Sequence, residues 1–395
     1  TTAVLLANPL PVLNLGGGTL TVANTGLIPN LSNGFANNYL VQNGPGGNAT
    51  IQSQLNAAPI SGVATSLSGV ISSLTTGFFQ AASAIVSRPE DPRPNQIGGG
   101  PFIRISAGDS RTKLTGAAIG GGIVSESHTK TSMDFSGFQV GADLGVYNIN
   151  NTGWNFNFGA FGGVAETSAK GVSVTPSPGG GSTVVNTSMK VKVPYVALYS
   201  FLSNGPFTAE VNVRRDFYDG TVASEGLGVN FVNPNTSLKG LGLSVNANMS
   251  YRVPVFETWY VEPLIGVSKG RYTFSNVQLA SAPNDQMAFN PTSSWLGRAG
   301  VNVGTNFVVS DKLVLAPFVH ASVWREFAGD SKAQAQVAGL SFDVATQRVG
   351  TFGQVGAGLQ FKVLDTALLG FVRGDVRFGE KANGKAVNVG LKMQF

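Results

Sequence analysis

The chain has 395 residues, of which 12% are charged and 52 are glycine, and its mean hydropathy is +0.12. Soluble domains carry about 25% charged residues, so this composition argues against an ordinary cytosolic enzyme. The absence of cysteine excludes a disulfide framework and a cysteine-ligated metal, and the net charge of +5 is scattered without the basic cluster that nucleic acid requires.

Residues 1–87 contain no Asp, Glu, Lys, Arg or His. Residues 1–47 are rich in Gly, Asn, Pro and Leu, with a short alternation at Thr19, Leu20, Thr21 and Val22 that fits the last coils of a β-solenoid. Thr1 follows no leader, so a mature or truncated chain is expected. Residues 63–87 read as a helix, because Val63, Leu67, Val70, Ile71, Leu74, Phe78, Ala82 and Ile85 recur at three- and four-residue spacing. Serines and threonines fill the other face, which suits lipid poorly. A tight, partly polar channel suits small side chains better, and packing on a soluble surface is the plainer alternative. Arg88 opens a hinge in which Pro89, Pro92 and Pro94 preclude regular helix.

No run of 18 or more apolar residues follows residue 88, so any lipid-spanning part must use strands. From Gly100 to Phe395 the pattern has period two over segments of about ten residues, the length of a tilted membrane strand. Leu241, Leu243, Val245, Ala247, Met249 and Tyr251 share one face. Gly242, Ser244, Asn246, Asn248, Ser250 and Arg252 share the other. About twelve such segments are expected. Their connections alternate between short turns, as at residues 148–153 and 203–206, and long loops, at 110–132, 167–189, 219–239, 276–294 and 328–348, with a short last one at 379–385. A membrane barrel has reason for this alternation and a soluble sandwich has none. Backbone groups in lipid must all be paired, so the sheet must close. Trp154, Tyr199, Phe201, Trp259, Tyr260, Trp295 and Phe378 are expected in interfacial girdles. The fold class is therefore an all-β transmembrane barrel of about 12 antiparallel strands with an N-terminal α-helix.

The stretch Gly370, Phe371, Val372, Arg373, Gly374, Asp375, Val376, Arg377, Phe378, Gly379 runs on through Asn383 and Gly384 to Leu391, Lys392, Met393, Gln394 and Phe395. It resembles the last hairpin of autotransporter translocator domains, as used in type V secretion. Residues 317–320 and 324–327 carry the same resemblance, which extends over residues 51–395. It implies that residues 1–50 are the end of a passenger, 51–99 a linker with the pore helix and hinge, and 100–395 the outer-membrane barrel. It also implies that Leu67, Ile71, Leu74, Phe78 and Ile85 belong to a helix held in the lumen. Val387, Val389, Leu391, Met393 and Phe395 would be the strand recognised by the barrel-assembly machinery. Some members cut themselves through an asparagine in the linker helix. No Asn occurs at residues 57–93, so no cut is expected there.

Arg104, Glu210, Arg214, Asp216, Glu262, Arg298, Glu326, Arg373, Asp375 and Arg377 have inward parity and are expected to line the pore, with structural pairing their main role. His128, in an expected outer loop, and His320, with lumen parity, have no base, orienter and nucleophile constellation around them. The runs at Gly120 and Gly179 lack the Lys and Ser or Thr of a phosphate loop. No cofactor, metal or catalysis is expected. The expected function is a translocator that carries its own passenger to the surface of a Gram-negative cell as a monomeric barrel in outer-membrane lipid. A porin-like diffusion channel is the runner-up, and an outer-membrane hydrolase the third class.

Overall fold

The computed structural model describes residues 10–13, 36–42, 49–78, 92–120, 123–176, 182–225, 236–278, 286–337, 340–364 and 366–395. Near the N-terminus β1 Leu10–Leu13, β2 Ala36–Gln42 and β3 Ala49–Leu55 form an antiparallel sheet in the order β1-β3-β2. The alternation expected at residues 19–22 lies outside the described residues. Helix α1, Ala57–Gly77, follows directly.

The helix begins six residues before the expected start at Val63. Ala57 and Ala58 are strong helix formers, and Pro59 is tolerated in a first turn whose N–H groups have no intrahelical partner. Ala57 and Ile60 continue the three- and four-residue apolar spacing of Val63 and Leu67 one turn upstream, and all four are buried in the core. Phe78 caps the other end through its N–H to Leu74 O at 3.0 Å. The expected continuation, with Ile85, lies outside the described residues.

The rest of the described chain is one antiparallel sheet. Its strands are β4 Gln96–Gly120, β5 Ile123–Tyr147, β6 Trp154–Pro176, β7 Ser182–Asn204, β8 Phe207–Ser224, β9 Thr236–Tyr251, β10 Val253–Pro254, β11 Trp259–Phe274, β12 Val277–Gln278, β13 Gln286–Phe289, β14 Thr292–Thr305, β15 Phe307–Ser310, β16 Leu313–Glu326, β17 Ser331–Val337, β18 Leu340–Thr346, β19 Thr351–Val363, β20 Leu368–Phe378 and β21 Ala382–Met393. Twelve of them (β4 to β9, β11, β14, β16, β19, β20 and β21) form a ring. The ring closes where β21 pairs with β4, from Ala382↔Thr112 to Lys392↔Phe102. Each strand of the ring is thus hydrogen-bonded on both sides, as lipid demands.

Alternation sets the two faces. Ile103, Ile105, Phe138, Val140, Leu198, Val213, Leu243, Ile265, Val323 and Val389 point outward and are exposed, while Arg104, Ser106, Gln139, Tyr199 and Asn388 point inward and are buried. Three of the aromatics expected in girdles are on the wrong face for that. Tyr199, Phe201 and Tyr260 are buried inside, because their strand neighbours Leu198, Leu202 and Trp259 take the outer face. Trp154, Trp259, Trp295 and Phe378 are exposed outside.

The short turns gather at one end of the barrel. At the other end the expected long loops are mostly strand. β4 runs to Gly120 and β5 starts at Ile123, where residues 110–132 were expected to be loop, and β6 to β9 extend likewise. Here the outer face is polar, as at Arg111, Lys113 and Lys130, and the inner face is small, as at Ser110, Gly116 and Ser127. The period persists but its hydrophobic contrast is gone, so the pattern looked like loop. In these extensions β20 and β21 take no part. β18 pairs directly with β4, from Asp343↔Ile119 to Thr346↔Gly116, and β13 pairs with β17. A second, ten-strand ring results (β4 to β9, the β11–β12 run, β13, β17 and β18) among the described residues.

Candidate functional site in the barrel lumen

Helix α1 lies inside the ring. Its serine and threonine face meets small polar residues of the wall in a ladder that descends from the long-hairpin end. Ala58 N–H donates to Thr175 Oγ1 at 2.7 Å, Ser61 Oγ lies 2.6 Å from Ser127 Oγ, Thr65 Oγ1 3.2 Å from Thr346 Oγ1, and Ser73 Oγ 2.8 Å from Ser110 Oγ. Thr75 Oγ1 is 3.2 Å from the Tyr272 hydroxyl. The apolar face, Leu67, Ile71, Leu74 and Phe78, is buried in one core with Met189, Val191, Tyr195, Leu238 and Tyr272 of the wall. The surfaces touch so closely that side chains are excluded in places. A Cβ on wall residue Gly171 would stand 2.2 Å from Ser66 Oγ, and one on Gly137 2.7 Å from the Phe78 ring.

The lower end of the helix exposes carbonyl groups and the negative end of its dipole, which cations stabilise. Arg104 supplies Nη2 to Phe78 O at 3.0 Å, and Arg377 supplies Nη1 to Thr76 Oγ1 at 2.5 Å. Both guanidinium groups are buried. A small gap remains beneath the helix end, between these arginines, Gln354 and Asn388.

The other charges with inward parity also face the lumen. Asp375 is a hub that accepts from Arg373 Nη2 at 2.8 Å and Gln354 Nε2 at 2.9 Å, with His320 Nε2 at 2.7 Å. Gln354 in turn accepts from the Trp324 indole at 3.0 Å, and Arg298 stacks over that indole at 5.0 Å. Arg214 and Asp216 form a buried pair at 2.6 Å, and Arg252 Nη2 meets Glu262 at 2.8 Å. Glu326 accepts the Trp295 and Ala328 N–H groups at 2.6 and 3.0 Å, and Glu210 is buried. Two ion-pair members escaped sequence reasoning. Lys392 Nζ lies 2.7 Å from Asp143 Oδ1, and Tyr199 donates to Oδ2 of the same carboxylate at 2.5 Å. Both have inward parity, but nothing in a one-dimensional pattern joins residues on β5 and β21 across the closing seam.

His128 lies on the outer face of β5, 3.3 Å from Thr115 Oγ1, rather than in a loop. The two histidines therefore stand on opposite faces of the wall. Around His320 the Nε2 atom faces Asp375 and Arg373, and Nδ1 has no hydrogen-bond partner, so among the described residues no hydroxyl nucleophile is bonded to the imidazole. Among the described residues no group of three or more His, Asp and Glu side chains is placed to hold a metal ion.

The fold recurs in solved barrels. The β domain of the Bordetella autotransporter BrkA superposes with a TM-score of 0.51 at 17% identity, covering 75% of this chain and 98% of that one. The transport unit of AIDA-I from Escherichia coli gives 0.56 at 13% identity, covering 87% and 100%. The translocator domain of NalP from Neisseria meningitidis gives 0.50 at 15%, covering 86% and 100%. No curated protein sequence matches the chain. The sequence pattern of the autotransporter beta-domain matches residues 116–371, more than half of the total. The chain belongs to the autotransporter β-domain family and is an outer-membrane β-barrel of the translocator type.

Proposed function

We propose that this barrel carries its own N-terminal segment to the cell surface, anchors it there, and is then plugged by α1. One observation carries the reading: the linker enters the lumen at one rim and belongs to the other. The head of α1 is bonded to Thr175 near the tip of a long hairpin, whereas Pro92 O accepts from Asn148 Nδ2 at 3.0 Å among the short turns. With the long hairpins facing outward, residues upstream of Asn56 emerge on the surface. Residues 1–50 are then the end of the passenger. Arg104, Glu210, Arg214, Asp216, Glu262, Arg298, Glu326, Arg373, Asp375 and Arg377 line the passage that α1 fills.

The remaining partners follow from the same reading. The outward row Val387, Val389, Leu391, Met393 and Phe395 faces lipid and serves the assembly machinery as its recognition strand. A ring whose strands are paired on both sides needs no second copy, so the barrel works as a monomer. Translocation and anchoring require neither a cofactor nor a catalytic group. Planar-bilayer conductance tests the reading: deleting residues 1–88 should open the pore. An unchanged conductance would favour a diffusion channel whose N-terminal part lies elsewhere.

A further inference from the structure

Outward charges at the upper edge of the apolar band differ in what surrounds them. On the wall that contains β4 to β7 and the adjoining β21 some are paired, Asp109 with Lys385 and Glu166 with Lys192, each pair 3.4 Å apart, while Arg111 and Lys190 point outward beside them without an ion pair among the described residues. On the β11, β14 and β16 wall the cations stand beside exposed aromatic rings instead. Lys269, Arg271 and Arg325 all point outward, and none makes an ion pair among the described residues.

These three cations form one patch. Lys269 stands opposite Trp295 in the ladder, Arg271 opposite Ser293, and Arg325 opposite Gly297. Phe327 N–H donates to Trp295 O at 2.8 Å, which brings the two aromatics side by side. Lys269 Nζ lies 5.5 Å from the Trp295 ring centroid, and Arg325 Cζ lies 5.5 Å from that of Phe327. The rings thereby hold both cations at a common height. Lys269 is ten residues beyond Trp259 on β11. At about 3.3 Å per residue and a tilt near 40° the two are about 25 Å apart along the axis, one apolar band height. The patch thus sits at headgroup level. The lower edge of the same wall carries Trp259, Phe256 and Phe307, all exposed, without a matching cation cluster.

We propose that Lys269, Arg271 and Arg325, framed by Trp295 and Phe327, bind the phosphate groups of a phosphorylated outer-leaflet lipid. Three unneutralised cations at the membrane edge have a phosphate layer as their natural counter-charge, and the adjacent aromatics take the amphipathic backbone of the headgroup. The leaflet assignment rests on the outward orientation of the long hairpins; the binding itself does not.

The test uses the full chain in detergent, titrated with a diphosphorylated glycolipid, with the same lipid after phosphatase treatment, and with inorganic phosphate, bound ligand being read by native mass spectrometry. Each cation near a headgroup surface contributes on the order of a fivefold factor, so K269Q/R271Q/R325Q should weaken glycolipid binding by about a hundredfold. The R93Q variant at the other end should bind as the unaltered chain does. Equal binding of the phosphorylated and dephosphorylated lipids would overturn the proposal, and that comparison needs no variant to fold. So would a triple variant that keeps its heat-modifiable folded band and binds within twofold, a preference for free phosphate over the lipid, or a dimer abolished by the triple variant with lipid binding unaltered. Conductance of the deletion lacking residues 1–88 scores the plug separately.

Discussion

Replacing Lys392 by methionine probes how the barrel closes. Lys392 on β21 reaches past β4 to Asp143 on β5, at 2.7 Å, and both side chains are essentially inaccessible to water. At an effective dielectric near 20 two charges at this separation attract by about 6 kcal/mol, most of which offsets their desolvation. Removing only the ammonium leaves a carboxylate with Tyr199 as its remaining strong donor, a loss of about 3 kcal/mol or more. Changing both residues, K392M with D143N, removes the orphaned charge and keeps an acceptor for Tyr199, so the double variant should lose only about 1 to 2 kcal/mol. Urea unfolding in micelles, followed by tryptophan fluorescence with an unchanged slope, gives each value. The reasoning is refuted if K392M costs under about 1 kcal/mol, or if the two single losses simply add in the double variant.

Other outcomes follow from the plug. In G171V the added carbon atoms meet Ser66, so α1 should be displaced at a cost of about 1 to 3 kcal/mol; bilayer recordings should show new openings while the folded band on gels persists. Alanine at both Arg104 and Arg377 removes two charged hydrogen bonds to the helix end, each worth about 1.5 to 3 kcal/mol, and should raise the open fraction at least tenfold. Intact-mass measurement of the purified chain should find no cut between residues 63 and 86, since that stretch lacks asparagine. Finally, H128A and H320A should leave any peptidase or esterase signal of the preparation unchanged, and a loss with either would point to an enzyme.

The wall was legible because lipid enforces a strict contrast between its faces. Leu241 to Arg252 could be sorted residue by residue, and the same parity placed Arg104, Glu326 and Asp375 in the lumen. Legibility ended where that contrast fades. Above the band, Arg111 and Thr112 are both polar, so strand looked like loop. Tyr199 was assigned by its aromatic character when the parity of Leu198 would have corrected it. The partners of the inward charges were illegible for a different reason. The meetings of Lys392 with Asp143 and Arg377 with Thr76 depend on ring closure and on the depth of the helix, neither of which is written in local spacing.

The shift from twelve strands to ten gives the molecule a bottle's profile. Perimeter scales with strand number, so the neck is roughly five-sixths as wide as the body. If the barrel translocates as proposed, the head of α1 stoppers the narrow neck, and a folded cargo would jam there before it reached the lip. Four residue pairs hold β18 to β4 at the neck, against eleven at the β21 to β4 closure below. On the proposed translocation reading, load at the outlet would part the four-pair collar before the eleven-pair waist in the lipid.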